Sequence, residues 1–411
     1  MPSKKGTEPL ETYYGLPAEV RFCKKCVISN QRPSSQVEFK NKNVKKHTIA
    51  FNEDGVCSAC VYNEQKQKIC WEERQDKLRD FLAQYRRKDG SYDVIVPSSG
   101  GKDSSFTAHK LKTEYGMNPL AVTWSPHIYT DVGWKNFWNL SHTGGVDSVL
   151  YTPNGKLHRL LTRLAFENIC HPFQPFIHGQ KIIGPAMALK HNVPLVFYGE
   201  NQAEYGNPVE DNIRNTMDYS FFTIDDPLKM IMGGEEVSQI MEHYGFQLKE
   251  FTPYIPPSAE RLKALDVQVH YLGYYERWDP QEMYYYATEN TGFQAAPERS
   301  VGTYSKYAEI DDIFIPFHFY TTYIKFGIGR ATYDASQEIR NGKITREEGV
   351  ALVKRYDGEF PQKYLKQFID YVGITEKRFW EVIDKARSPH LWKKEHGQWK
   401  LRHAVYDEGR T

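Results

Sequence analysis

Nine consecutive residues, Pro97-Ser98-Ser99-Gly100-Gly101-Lys102-Asp103-Ser104-Ser105, combine the side chains that an anion-binding loop requires. The strand-like run Tyr92-Asp93-Val94-Ile95-Val96 precedes them and a helical pattern to about Tyr115 follows, so the loop sits at a strand-to-helix turn. Paired glycines let the backbone curl around an anion, while serine hydroxyls and helix N-terminal N–H groups point at it. The spacing is neither that of a Walker A loop nor G-x-G-x-x-G. Ser98, Ser99, Gly100, Gly101, Lys102, Asp103, Ser104 and Ser105 are therefore expected to cradle an anion such as a phosphate, with Lys102 and Asp103 as the catalytic candidates. Asp103 cannot donate to phosphate; it either caps the helix or orients Mg²⁺. The bland alternative is a turn whose Ser or Asp caps the helix and whose glycine supplies a positive φ.

Cys23-Lys-Lys-Cys26 and Cys57-Ser-Ala-Cys60 are two C-x2-C pairs, 30 residues apart. Two thiolate pairs close a tetrahedral Zn²⁺ site, which would fold an otherwise core-poor segment. The spacer exceeds the commoner 15–20 residues, and the basic stretch Phe39-Lys40-Asn41-Lys42-Asn43-Val44-Lys45-Lys46 reads as an insertion that lengthens it. Gly55 suits the tight turn of a zinc knuckle. Four unrelated buried thiols, or an iron–sulfur cluster, are the alternatives. Cys70 and Cys170 read as core cysteines, and Cys170 beside His171 as a candidate reactive thiol. Weaker substrate candidates follow. Glu200 and Asn201 end a strand at the edge where doubly wound sheets bind ligands, although Asn201 also suits a helix cap. Lys325 and Arg330 flank two glycines and suit a phosphate or carboxylate. The scattered histidines, His127 and His142 among them, show no metal spacing.

Several elements must position these groups. Strands are expected over Tyr92–Val96, Leu120–Trp124, Val146–Tyr151 and Val193–Tyr198, and helices over Leu157–Ile169 and Lys181–His191. This alternation implies an α/β fold, a doubly wound parallel sheet. Beyond about residue 205 the rhythm weakens, and the last 70 residues look mostly helical. Asp279-Pro280-Gln281-Glu282 and Thr345-Arg346-Glu347-Glu348 are helix starts, and Gly358–Pro361 is a stop. The expected divisions are a flexible arm (1–20), a zinc-ribbon-like four-cysteine unit (21–70), a connecting helix (71–90), an α/β domain with the substrate pocket (91–335) and a helical C-terminal region (336–411). Aromatic-rich residues 271–286 are read as core and pocket wall.

The chain has 411 residues, 40% hydrophobic and 26% charged, the balance of a folded protein. Lys plus Arg number 53 against 52 Asp plus Glu, which argues against bulk electrostatic capture of nucleic acid or anionic membrane. No run reaches the ~18 apolar residues of a spanning helix, and no secretory signal is read at the N-terminus. A cytoplasmic setting with reduced thiols is expected.

The loop matches S-G-G-x-D-S, and the chain resembles the PP-loop ATP pyrophosphatases, which cut ATP to AMP and pyrophosphate. Within them it resembles the N-acetyl sugar amidotransferase family. The resemblance runs through Cys23-x-x-Cys26-Val27, Gly55-Val56-Cys57-x-x-Cys60, Ser99–Ser104 and Gly199-Glu200-Asn201. It continues through Leu272-Gly273-Tyr274-Tyr275-x-x-Trp278-Asp279-Pro280, Gly327-Ile328-Gly329-Arg330 and Thr345–Glu348. It implies a PP-loop-type sheet, ATP with Mg²⁺, structural Zn²⁺, and conversion of an N-acetyl group on a bacterial surface sugar to an acetamidino group. Lipopolysaccharide O-antigen and flagellar nonulosonic acids are the usual settings. It also implies partners, a glutaminase subunit that supplies ammonia and a cyclase-like channelling subunit, since no glutaminase signature is read here. The runner-up is a PP-loop tRNA-modifying enzyme, with Lys40, Lys42, Lys45 and Lys46 on RNA. A non-enzymatic adaptor with a degenerate loop is a third class, against which the intact loop argues.

Overall fold

The computed structural model describes residues 10–34, 46–206 and 223–407; the basic stretch lies outside the described residues except for Lys46. Five strands form one parallel sheet: β1 (Val94–Pro97), β2 (Pro119–Trp124), β3 (Asp147–Tyr151), β4 (Leu195–Tyr198) and β5 (Gln268–Tyr271), in the order β3-β2-β1-β4-β5. Side chains alternate across it, as the period of a strand demands. Val94, Val96, Ala121, Leu195 and Phe197 pack on the face covered by α2 (Trp71–Ala83) and α3 (Lys102–Thr113). Ile95, Val122, Val196 and Val269 pack on the opposite face, with α5 (Gly155–Ile169) and α6 (Gln174–His191). This is the doubly wound parallel sheet that the sequence leads one to expect, with β1 central and its loop at the carboxyl edge.

β5 is absent from the expected list because Gln268-Val-His-Tyr is a short, polar edge strand, held by pairing Leu195 with Gln268 and Tyr198 with Tyr271. Helix α6 begins seven residues before Lys181, with Pro175 in its first turn, where proline costs no hydrogen bond. Helix α4 (Asp131–His142), capped by Thr130, was likewise not read.

The four-cysteine unit is not a separate body. Cys23, Cys26, Cys57 and Cys60 belong to the same hydrophobic core as Ile95, Val196, Phe317 and Ile383. Residues 10–20 do not form the free arm expected, since Tyr14 and Leu16 are buried in that core. The expected division at 335 falls inside the helix Arg330–Arg340. The C-terminal region is helical as expected, through Arg346–Tyr356, Leu365–Val372 and Glu376–Lys385, but closes on a hairpin, Trp392–Glu395 with Gln398–Leu401.

One buried ion pair joins the four-cysteine unit to the sheet. Lys66, at the end of α1 (Ser58–Lys66), donates to Glu204 Oε1 at 2.7 Å and to the Trp278 carbonyl at 2.7 Å, and both charged side chains are almost fully buried. Removing one partner strands the other charge in the interior. Lys66→Met should therefore cost about 3–5 kcal/mol in denaturant unfolding, and Lys66→Met with Glu204→Leu should recover most of it.

Candidate active site and metal centre

A cleft of about 680 Å³ opens at the carboxyl edge of the sheet, and the loop Ser98–Ser104 forms its floor. Gly101 precedes α3 in an extended conformation, and no side chain caps the helix. The N–H groups of its first turn are thus left for an anion. Gly100 has φ +80°, and a Cβ there would lie 2.6 Å from the backbone N and Cα of Phe137 in α4. Only glycine lets loop and helix touch in this way. Gly101 differs: its added Cβ would meet only Ser99 Oγ, at 3.2 Å. The loop is braced from within, Ser98 Oγ donating to Ser104 Oγ at 2.9 Å and accepting from Gly100 N at 3.2 Å.

Helix α4 is gripped on its other side too. A Cβ on Gly133 would lie 2.4 Å from Asp311 Cα, and the Asp311 carbonyl accepts from Thr130 N at 3.0 Å. Asp311 is thereby carried to the loop, where its carboxyl bonds the Ser99 side chain. Three carboxyls, Asp103, Glu200 and Asp311, line this floor. Asp103 Oδ2 accepts from Lys102 Nζ, while its Oδ1 is buried without a partner. Burial, aided by the Asp103 charge, pushes Glu200 up to about 7. Burial, with Asp312 beside it, pushes Asp311 up to about 7 as well. With Gly101 as the residue before the helix and no side-chain cap present, the capping alternative for Asp103 falls away. Asp103 and Glu200 lie close enough for the charge of one to raise the other, and a hard cation such as Mg²⁺ would suit that pair.

The remaining candidates separate. Ser98 to Ser104 and Glu200 line the cleft. Ser105 does not; it is 1% exposed and turns into the core. Asn201 is the cap of a short turn, its Oδ1 accepting from Ala203 N at 3.1 Å. Lys325 lines the far end of the cleft, but its Nζ donates to the Ile169 carbonyl at 2.8 Å, closing the end of α5. Arg330 lines the cleft with its guanidinium committed to Glu309 and, at 2.8 Å, to Asp334. Of the aromatic segment, Tyr271 lines the cleft, as does Tyr307 beyond it, whereas Tyr275, Trp278 and Met283 are core. Cys170 is buried in a left-handed conformation ending α5, whereas Cys70, read as core, is exposed. His171 stacks on His318 with ring centroids 5.0 Å apart, and burial keeps it neutral. Sequence reasoning missed Asp311, Tyr205 and Arg32; the acidic run Glu309-Ile310-Asp311-Asp312 was the available signal for the first.

The four thiols of the pairs are buried, and their sulfurs lie within 4.8 Å of one another, with Cys23–Cys60 at 3.9 Å and Cys26–Cys57 at 3.7 Å. Sulfurs at ~2.3 Å around one tetrahedral zinc are about 3.8 Å apart, so the set fits a single ion. Backbone N–H groups of Lys25, Cys26 and Cys57 approach Cys23 Sγ at 3.3–3.5 Å, which stabilises thiolate. Gly55 makes the expected turn at φ +79°. Arg346 then ties the unit to the C-terminal helices, donating to the carbonyls of Cys26 and Cys23 at 3.2 and 3.3 Å.

Two outcomes follow. Metal analysis of protein purified without chelator should give about one zinc per chain, and Cys57→Ser should lower both zinc content and the melting temperature. The carboxyls make the second. A carboxyl whose folded value is raised adds stability below its ordinary range, and loses it as pH rises through the folded value. Ligand-free protein should therefore lose stability between about pH 4.5 and 7, and Glu200→Gln should flatten that part of the melting profile.

Comparison with known proteins adds the following. Residues 301–406 match the family described as "LPS biosynthesis protein WbpG-like, C-terminal domain". No curated protein matches the chain. The solved structure of NMN synthetase from Francisella tularensis aligns over 76% of this chain and 96% of that one, at 12% identity and a TM-score of 0.29, too low to carry an argument. The matched segment holds Asp311, His318 and Arg330, all lining the cleft that the loop floors. Over that segment, about a quarter of its length, the chain is similar to the WbpG-like LPS biosynthesis proteins, in line with the resemblance read from its motifs.

Proposed function

We propose that the protein converts an N-acetyl group of a bacterial surface sugar to an acetamidino group, at the expense of ATP cut to AMP and pyrophosphate. The observation that carries the reading is one cleft with two walls: the uncapped start of α3, and the helices of the WbpG-like segment opposite it. The first suits a pyrophosphate and the second gives a sugar somewhere to lie.

An amide oxygen is a poor leaving group, so replacing it by nitrogen requires activation. The amide oxygen attacks the α-phosphorus, pyrophosphate departs, and ammonia adds to the resulting imidate carbon as AMP leaves. The first-turn N–H groups of α3, with Ser99 and Ser104, hold the departing pyrophosphate; Lys102 adds positive charge beside it. Asp103 and Glu200 would hold Mg²⁺, which neutralises phosphate charge when bound. Ammonia needs no general base, and a separate glutaminase subunit with a channelling partner would deliver it. The zinc of the four-cysteine unit takes no part; it fixes the wall that the N-terminal unit contributes.

Incubation with MgATP, ammonium and a panel of N-acetylated nucleotide sugars and nonulosonic acids should release AMP and pyrophosphate in equal amounts. The product should be lighter by the difference between =O and =NH, and cationic at neutral pH. Gly101→Val, whose side chain has room in the fold but intrudes on the cradle, should lower AMP release by about a hundredfold or more with zinc content unchanged. ADP as the product would overturn the reading. Stimulation of AMP release by transfer RNA, with none by any N-acetyl sugar, would favour a tRNA-modifying enzyme instead.

A further inference from the structure

We propose that Arg32 binds an acidic group of the acceptor, a carboxylate or a phosphate; the acceptor's identity as a sugar rests on the reading above. Arg32 lies six residues after the first cysteine pair, lines the cleft and is 5% exposed. Its guanidinium lies near two rings, 5.7 Å from the centroid of Tyr205 and 5.5 Å from that of Tyr333. Among the described residues its side chain makes no hydrogen bond and no ion pair, and Nη1 is buried without an acceptor. A guanidinium does not shed its proton in a protein, so the fold carries a buried, unpaired cation. That is costly unless a ligand supplies the counter-charge.

Two explanations compete. A zinc ion with four thiolates is net anionic, and the Cys57 charge does favour the charged form of Arg32. That demand is met by other groups, however. Arg340 is buried beside Cys26, Cys57 and Cys60, and Arg346 bonds the carbonyls of the first pair. The cleft's other cations are also occupied. Lys102 pairs with Asp103, Arg330 with Glu309 and Asp334, and Lys343 with Asp279. Lys325 bonds the Ile169 carbonyl, and Lys46 and Lys181 have interactions of their own. A second donor stands one helical turn beyond Tyr333: Gln337 lines the same cleft, its Nε2 buried without an acceptor. A guanidinium flanked by aromatic rings and beside a second unsatisfied donor suits two-point recognition of an oxyanion. The pyrophosphate already has its own cradle at α3, so the anion at Arg32 belongs to the acceptor.

The test uses zinc-loaded full-length protein, with the loop filled by a non-hydrolysable ATP analogue and Mg²⁺. Calorimetric titrations of wild type, Arg32→Gln and Arg32→Lys then use three probes. They are sulfate, an N-acetylated nonulosonic acid carrying only a carboxylate, and a nucleoside-diphosphate N-acetylhexosamine carrying only phosphates. Arg32→Gln should weaken one sugar probe about thirtyfold or more, the range of a lost charge-assisted bond. Arg32→Lys should fall between, and the analogue's own affinity should stay within about twofold. The probe that responds identifies the acidic group. Ligand-free Arg32→Gln should keep its zinc and melt no lower than wild type, because it sheds an unpaired charge. The proposal is overturned if Arg32→Gln binds all three probes as wild type does, if wild type binds none of them, or if the analogue's affinity falls instead. It is equally overturned if the variant loses zinc and melts early with its probe affinities intact, the behaviour of a structural counter-ion. Sulfate binding that depends on Arg32, with neither sugar bound by wild type, would support the anion site and overturn the sugar reading.

Discussion

The start of α3 offers its first-turn N–H groups to the cleft with no side chain to satisfy them, and the walls around it are arranged to keep that end open yet rigid. Rigidity comes from glycine as well as from bonding. Gly100 lets the loop touch the backbone of α4, and Gly133 lets α4 touch the backbone at Asp311. Loop, helix and acidic segment are thereby stacked at van der Waals contact, with no side chain between them to flex. A cradle for a pyrophosphate gains most from such fixed geometry, because donors that need not reorganise stabilise developing charge best.

The second constraint is charge. The cleft floor gathers Asp103, Glu200 and Asp311, two of them held near 7 by burial, and the wall beyond gathers cations. Each sign is internally matched where the fold alone is concerned: Lys66 with Glu204, Arg330 with Asp334, Arg299 with Glu359 at 2.6 Å. Asp103 Oδ1 and Arg32 Nη1, both in the cleft, are left unmatched. A cation without a partner and a carboxylate with one oxygen unsatisfied, within one cavity, describe a site that is complete only with its ligands.

The anion loop, the thiol pairs and four of the five strands were legible in the sequence, since each rests on local pattern: an apolar run, a glycine pair, a two-residue spacing. What was not legible depends on distant partners. β5 is a strand only because Leu195–Tyr198 lies beside it. Asn201 and Lys325 looked functional in isolation, and the fold gives one a turn to cap and the other a carbonyl to hold. Arg32 is surrounded in sequence by ordinary loop residues; its meaning comes from Tyr205 and Tyr333, about 170 and 300 positions away.

The motifs that carried the family resemblance divide on the same line. Gly199 and Gly273 are there for packing: the N–H of Gly273 bonds the Gly199 carbonyl at 2.8 Å, and a Cβ on Gly199 would strike Trp278 at 2.7 Å. Trp278 in turn gives its carbonyl to Lys66, which is how the four-cysteine unit is seated. Thr345 to Glu348 start the helix whose Arg346 holds the first cysteine pair from the other side. The S-G-G-x-D-S loop, Glu200 and Arg330 present their groups to the cleft itself. The cysteine pairs, Trp278 and the Thr345 helix start instead assemble a scaffold that clamps the four-cysteine unit between the sheet and the C-terminal helices. That clamp is what brings Arg32, a residue of the four-cysteine segment, to the wall of a cleft built by two other parts of the chain.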